Sequence, residues 1–141
     1  MEATLFTDGG ARGNPGPAAG GAVLIDAGGE IIDRIGEYIG ITTNNVAEWH
    51  ALCVGLAAAR DRGIRTLAVR MDSELVVKQL RGEYRVKREH LQPFYRKATA
   101  LMRSFDHVDV AHVPRAKNRL ADRVVNEVLD AHARSEAEAS Q

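Results

Sequence analysis

Residues 8–21 read DGGARGNPGPAAGG, and the fold turns on what stands on either side of them. Ahead of them, Thr4 to Thr7 form a short apolar run with the look of a strand, which the glycines and prolines are expected to end in a loop. Behind them, GAVLID and EIIDRIGEYIG read as two more strands, joined at Ala27-Gly28-Gly29 by a hairpin-like turn. Three consecutive antiparallel strands therefore open the chain. The glycine loop is not a P-loop, because no Gly-Lys-Ser/Thr ends it and it leads into a strand rather than a helix.

From Asn45 the period changes. Trp49, Leu52, Cys53 and Leu56 stand at i, i+3, i+4 and i+7, which marks the buried stripe of a helix running to about Arg62 and closed by Gly63. TLAVRM alternates as a strand, and Asp72-Ser73 supplies the cap of a following helix that ends near Gly82, so the stretch forms a βαβ element. A helix from His90 to Ser104, a last strand HVDVAHV and a helix from Asn118 to about His132 complete the pattern, the last with Leu120, Val124, Val125, Val128 and Leu129 on one face. The order βββαβααβα predicts an α/β fold: a mixed five-stranded sheet, its first three strands antiparallel, flanked by helices. Residues 1–132 read as one domain, and the small polar tail 133–141 as disordered.

With 45% hydrophobic and 27% charged residues in 141, the chain has the composition of a soluble globular domain, and no apolar run of 18 residues suggests a membrane span. The start MEATLFTDGG lacks a basic, then apolar, leader pattern, so a cytoplasmic address is expected. Cys53, the single cysteine, falls among apolar helix positions and reads as an inert core thiol. Net charge is zero, but its distribution is uneven: residues 81–103 hold 7 Lys/Arg against 2 Asp/Glu, a local +5 block interleaved with Tyr84, Phe94 and Tyr95. Such a block suits a nucleic-acid backbone, although a solvated helix face with its core aromatics would read the same.

Four acids stand where a solvated surface carboxylate has no reason to stand. Asp8 and Asp72 sit at the carboxyl ends of two apolar strands, where open α/β sheets place their ligand sites. Glu48 lies in the first turn of its helix beside Trp49, and Asp122 near the start of the last helix, off its apolar stripe. Taken singly, each has a structural reading as a cap, a turn former or a partner of a helix dipole. Together they form a plausible oxygen cage, which repulsion would open unless a cation held it, and oxygen-only ligation favours Mg²⁺ or Mn²⁺.

The loop 8–20, followed by TNNVAE at 43–48, MDS at 71–73 and NRLAD at 118–122, resembles the ribonuclease H family, type HI, over nearly the whole chain. The resemblance implies hydrolysis of the RNA strand of RNA/DNA hybrids, leaving 5′ phosphate and 3′ hydroxyl ends, with two Mg²⁺ held by Asp8, Glu48, Asp72 and Asp122. It also implies substrate contacts from Gly9, Arg12, Gly13, Asn14, Thr43, Asn44, Asn45 and Ser73, the asparagines reading ribose hydroxyls in the minor groove. An RNA/DNA hybrid is then the partner, bound by a monomer with no membrane involved.

The sequence departs from the family in places. The longer basic protrusion of many bacterial relatives is missing, and the loop VPRAKN at 113–118 has no histidine where such relatives carry one. Arg115 or Lys117 is the expected substitute beside the scissile phosphate or in product release. His112 falls in step with Val108 and Val110 and is expected to pack inward. Glu74 stands where a base-contacting glutamine is frequent. Two alternatives remain open at this point: a nucleic-acid-binding module that has lost catalysis, and a nuclease that also cuts double-stranded RNA.

Overall fold

A computed structural model describes residues 1–140. Its elements are β1 (Glu2–Ala11), β2 (Gly16–Asp26), β3 (Ile31–Thr42), α1 (Asn44–Asp61), β4 (Thr66–Met71), α2 (Glu74–Leu80), α3 (Gln92–Met102), β5 (His107–His112) and α4 (Arg119–Ala139), with short 3-10 turns at Glu89–Leu91 and Arg115–Lys117. The five strands lie in the order β3-β2-β1-β4-β5. β1, β2 and β3 pair antiparallel, while β4 joins β1, and β5 joins β4, in parallel. The α/β architecture expected from the sequence is the one observed.

α1 packs on β1 and β2 with α3 beside it, and α4 covers β1, β2 and β3 from the other side. β2 is consequently buried almost throughout. The larger core gathers Leu5, Trp49, Leu52, Leu56, Leu67, Val69 and Val76, with Trp49 fully enclosed as its helical spacing indicated. Cys53 is buried too, its thiol 3.6 Å from the Phe94 carbonyl. A smaller cluster of Ala19, Val125 and Leu129 seats α4.

The glycine-rich stretch behaves differently from expectation. β1 does not stop at Thr7 but continues through Asp8, Gly9 and Gly10 to Ala11, paired with Ala18–Gly21 of β2. Small residues serve here to let helices touch the sheet backbone. A Cβ on Gly9 would lie 2.3 Å from the backbone of Ala47 and Glu48 in α1, and one on Gly21 would lie 2.7 Å from the Ala121 carbonyl oxygen in α4.

Three further expectations are corrected. α4 runs to Ala139 rather than ending near His132, so most of the tail expected to be disordered is helix. Its Ala, Glu and Arg are strong helix formers, and His132 and Glu136 stand 3.6 Å apart one turn from each other. Leu120 is exposed, and Ala121 takes its place in the stripe with Val124, Val125 and Leu129, its carbonyl oxygen lying 2.7 Å from where a Cβ on Gly21 would stand. His112 is exposed as well, since it is the last residue of β5, beyond the buried Val110 and beside Glu74 of α2.

Candidate active site

Register brings the first two acids together. Thr7 of β1 lies opposite Met71 of the parallel β4, so Asp8 and Asp72, each the next residue along, emerge at one level of the sheet. α2 is capped by Ser73, whose hydroxyl accepts from the Val76 amide at 3.3 Å. Asp72 is therefore not needed as a cap, which removes its structural explanation.

Glu48 arrives with α1. Thr43 caps that helix by accepting from the Val46 amide, and Glu48 falls in the second turn rather than the first, where dipole stabilisation is weak. Gly9 determines how near it comes, because the α1 backbone at Ala47 and Glu48 rests directly on that glycine. Asp122 stands in the first turn of α4, with the Asn126 amide donating to its backbone carbonyl at 3.1 Å and reaching its carboxylate at 3.4 Å.

All four acids line one cleft of about 420 Å³, together with Gly9, Arg12, Asn44, Arg115 and Asn126. A smaller recess behind it is bounded by Thr7, Asp8, Glu48, Asp72 and Ser73. Electrostatics show the crowding. Burial, then the negative charges of Asp72 and Asp122 and a hydrogen bond shared with Asp122, push the Asp8 carboxyl from 3.8 up to about 8, against a smaller opposite pull from the Gly9 backbone. Burial also pushes Glu48 up to about 7, with Asp72 adding to the rise and the Ser73 hydroxyl opposing it. Glu48 Oε2 is buried with no hydrogen-bond partner. Among the described residues, no three acids or other ligating side chains are drawn close enough to cage an ion as they stand. The cleft gathers the four carboxylates at a spacing wider than that of a closed ion cage.

The remaining expected site residues separate into groups. Asn14 and Asn44 are linked, since the Asn44 amide donates to Asn14 Oδ1 at 3.0 Å while Asn44 Oδ1 accepts from Ala11 at 2.7 Å. Arg12 lines the cleft but its guanidinium is paired with Asp130 at 2.6 Å. Arg115 lies 3.8 Å from Asp122 and is 83% exposed, a loose, solvent-facing contact. Gly13, Thr43, Asn45 and Lys117 are not among the residues lining the cleft. Asn126 and Asn118 were missed by sequence reasoning. The i, i+4 spacing from Asp122 could have found Asn126. Away from the cleft, the basic block exposes Tyr84 under Lys78, 5.1 Å from its ring, and forms a groove with Arg85, Tyr95 and Arg96.

The chain matches the family model described as reverse transcriptase-like over residues 6–128. It is 45% identical over 125 residues to ribonuclease HI of Halobacterium salinarum, covering 89% of this chain and 63% of that protein. It is also 44% identical over 138 residues to a bifunctional protein of Mycobacterium tuberculosis, covering 97% of this chain and 38% of that protein. The chain thus spans about two fifths of the length of the mycobacterial relatives it matches.

Solved structures agree in fold. RNase H1 of Halobacterium salinarum superposes with a TM-score of 0.90 at 43% identity, covering 93% of this chain and 99% of that one. The N-terminal RNase H domain of the Mycobacterium tuberculosis protein gives 0.88 at 42%, covering 90% and 98%. An RNase H1 isolated from compost, solved in complex with an RNA/DNA hybrid, gives 0.88 at 40%, covering 93% and 99%. Sheet order and family model together define the broad class, a reverse transcriptase-like domain with an acidic cleft at the ends of its parallel strands. The chain belongs to the ribonuclease H family, type HI, as its motifs indicated.

Proposed function

We propose that this chain is an endonuclease that hydrolyses the RNA strand of RNA/DNA hybrids, acting as a monomer with two Mg²⁺ held by Asp8, Glu48, Asp72 and Asp122. The observation that carries the reading is the meeting of four carboxylates, borne by β1, α1, the end of β4 and α4, along one cleft. The arginines at its rim, Arg12 and Arg115, are exposed and do not bury the acids' charge.

Divalent ions fit this donor set. It is made of oxygen alone, it contains the partnerless Oε2 of Glu48, and it forces Asp8 to keep its proton near neutral pH unless positive charge arrives. When bound, such ions neutralise the acids, activate a water and stabilise the leaving 3′ oxygen. The chain's own part is binding and orientation. Asn14 and Asn44 have their side-chain oxygens engaged within the protein, so each keeps amide N–H donors for ribose and phosphate oxygens of the hybrid. Ser73 steadies the charged form of Glu48, and Asn126 steadies Asp122. Arg115 has the reach to contact the phosphate after cleavage. The compost relative's complex with an RNA/DNA hybrid supports the same substrate here.

The test is incubation of matched RNA/DNA, RNA/RNA and DNA/DNA duplexes with and without Mg²⁺, beside Asp72→Asn. Cleavage confined to the RNA of the hybrid, needing the metal and abolished by the substitution, is expected. Hybrid binding without cleavage by the wild type would instead make the chain a binding module, and cleavage of RNA/RNA would widen the substrate class.

A further inference from the structure

Asn118 belongs to none of the four metal-binding positions, yet its side chain is 1% exposed at the point where the chain turns into α4. Its Nδ2 donates to the backbone carbonyl of Thr7 at 2.9 Å, across 111 residues of sequence, in the one fully buried side-chain hydrogen bond among the described residues. Thr7 immediately precedes Asp8. The Asn118 carbonyl in turn accepts from the amide of Asp122 at 3.1 Å, as the first turn of α4 forms. One side chain thus ties the backbone next to one acid to the turn that carries another.

Stability alone does not account for an amide here. Asn118 Oδ1 is buried with no partner, a cost of roughly 1–3 kcal/mol that an apolar side chain would avoid. Nor does the side chain cap its own helix, which is the ordinary reason for asparagine at such a place. Its one side-chain hydrogen bond goes to β1. A second contact fixes the same joint, because Gly21, which pairs with Asp8 across β1 and β2, leaves room for the Ala121 carbonyl of α4 to approach within 2.7 Å of where a Cβ would stand.

We propose that Asn118 is a positioning residue, clamping the start of α4 to β1 so that Asp122 and Asp8 stand at the spacing a pair of divalent ions requires. The inference rests on the metal-dependent reading above. Groups that orient metal ligands without touching the metal commonly govern 10–100-fold in affinity or rate, and loss of the clamp belongs in that range.

Asn118→Ala and the similarly shaped Asn118→Leu, which keeps the bulk but removes the donor, would be compared with Leu101→Ala, a core truncation in α3. Three quantities would be read: Mg²⁺ binding by calorimetry, the Mg²⁺ concentration for half-maximal cleavage, and kcat and KM on a hybrid. Both Asn118 variants should bind Mg²⁺ at least about tenfold more weakly and lose kcat by a similar factor, with KM within about twofold of the wild type. Leu101→Ala should lower the melting temperature and leave Mg²⁺ affinity alone. If Asn118→Ala fails to melt cooperatively, Asn118→Leu carries the comparison. Wild-type Mg²⁺ affinity in a folded Asn118 variant would overturn the proposal. A wild type that binds Mg²⁺ but cuts no hybrid would overturn the assigned function and leave the clamp to be judged on the calorimetry.

Discussion

Replacing Asp8 by Asn should make the metal-free protein more stable while abolishing cleavage. The folded Asp8 carboxyl holds its proton up to about pH 8, whereas a free one releases it near 3.8. Between those values the folded state binds the extra proton, so wild-type stability is fully present below about pH 4 and is lost as pH rises through 8. At about 1.4 kcal/mol per tenfold change, the displacement sets a ceiling of roughly 6 kcal/mol, and partial access of water to the cleft reduces this to about 2–3 kcal/mol. Asparagine keeps the shape and carries no charge, so the gain should be near zero at pH 4 and largest above pH 8. For a chain of this size that is about 6–10 °C in Tm. Thermal unfolding followed by circular dichroism in a chelating buffer, at several pH values between 4 and 9, measures it. Mg²⁺ should raise the Tm of the wild type and leave Asp8→Asn nearly unmoved. A variant that is less stable than the wild type at pH 8.5, or a difference that does not change with pH, would refute the claim that burial, together with the neighbouring acids, disfavours the charged Asp8 carboxylate in the folded state.

Gly9→Ala places a methyl against the α1 backbone at Ala47 and Glu48 and should cost about 1–3 kcal/mol in chemical denaturation. It should also cut kcat by on the order of 10²-fold, because Glu48 moves with the helix. Arg115→Ala should slow turnover while leaving Mg²⁺ affinity from calorimetry unchanged, and unaltered turnover would remove it from the mechanism. Burial pushes the Cys53 thiol up to about 11, so iodoacetamide at pH 8 should label it in urea but not in the native protein, as mass spectrometry would show.

Most of the architecture was legible because it rests on two periodicities that the apolar residues obey, and Trp49, Leu52 and Leu56 are buried as their spacing required. The acids were legible for a related reason: an ionisable side chain at the end of a buried strand has to be explained by something other than solvation. What periodicity could not resolve lies where backbone meets backbone. Glycines 9 and 10 look like a loop in isolation and are strand in fact, because the partner that makes them so, Gly20 and Ala19 of β2, becomes adjacent only after pairing. Likewise Leu120 fits the stripe of α4 by angle, but Ala121 is the residue that is buried against the sheet, a matter of how the helix docks on β2. His112 shares the parity of Val110 and lies past the end of the layer that covers it. The amide of Asn118 had no periodic signature at all, since its partner is a carbonyl 111 residues away.

Asp122 is carried by α4, downstream of every strand of the sheet and of the three other acids. The other three acids belong to the sheet and α1, so the acidic cleft is complete only when α4 is docked on β1, β2 and β3. The integrity of the cleft is thus tied to the seating of a single helix.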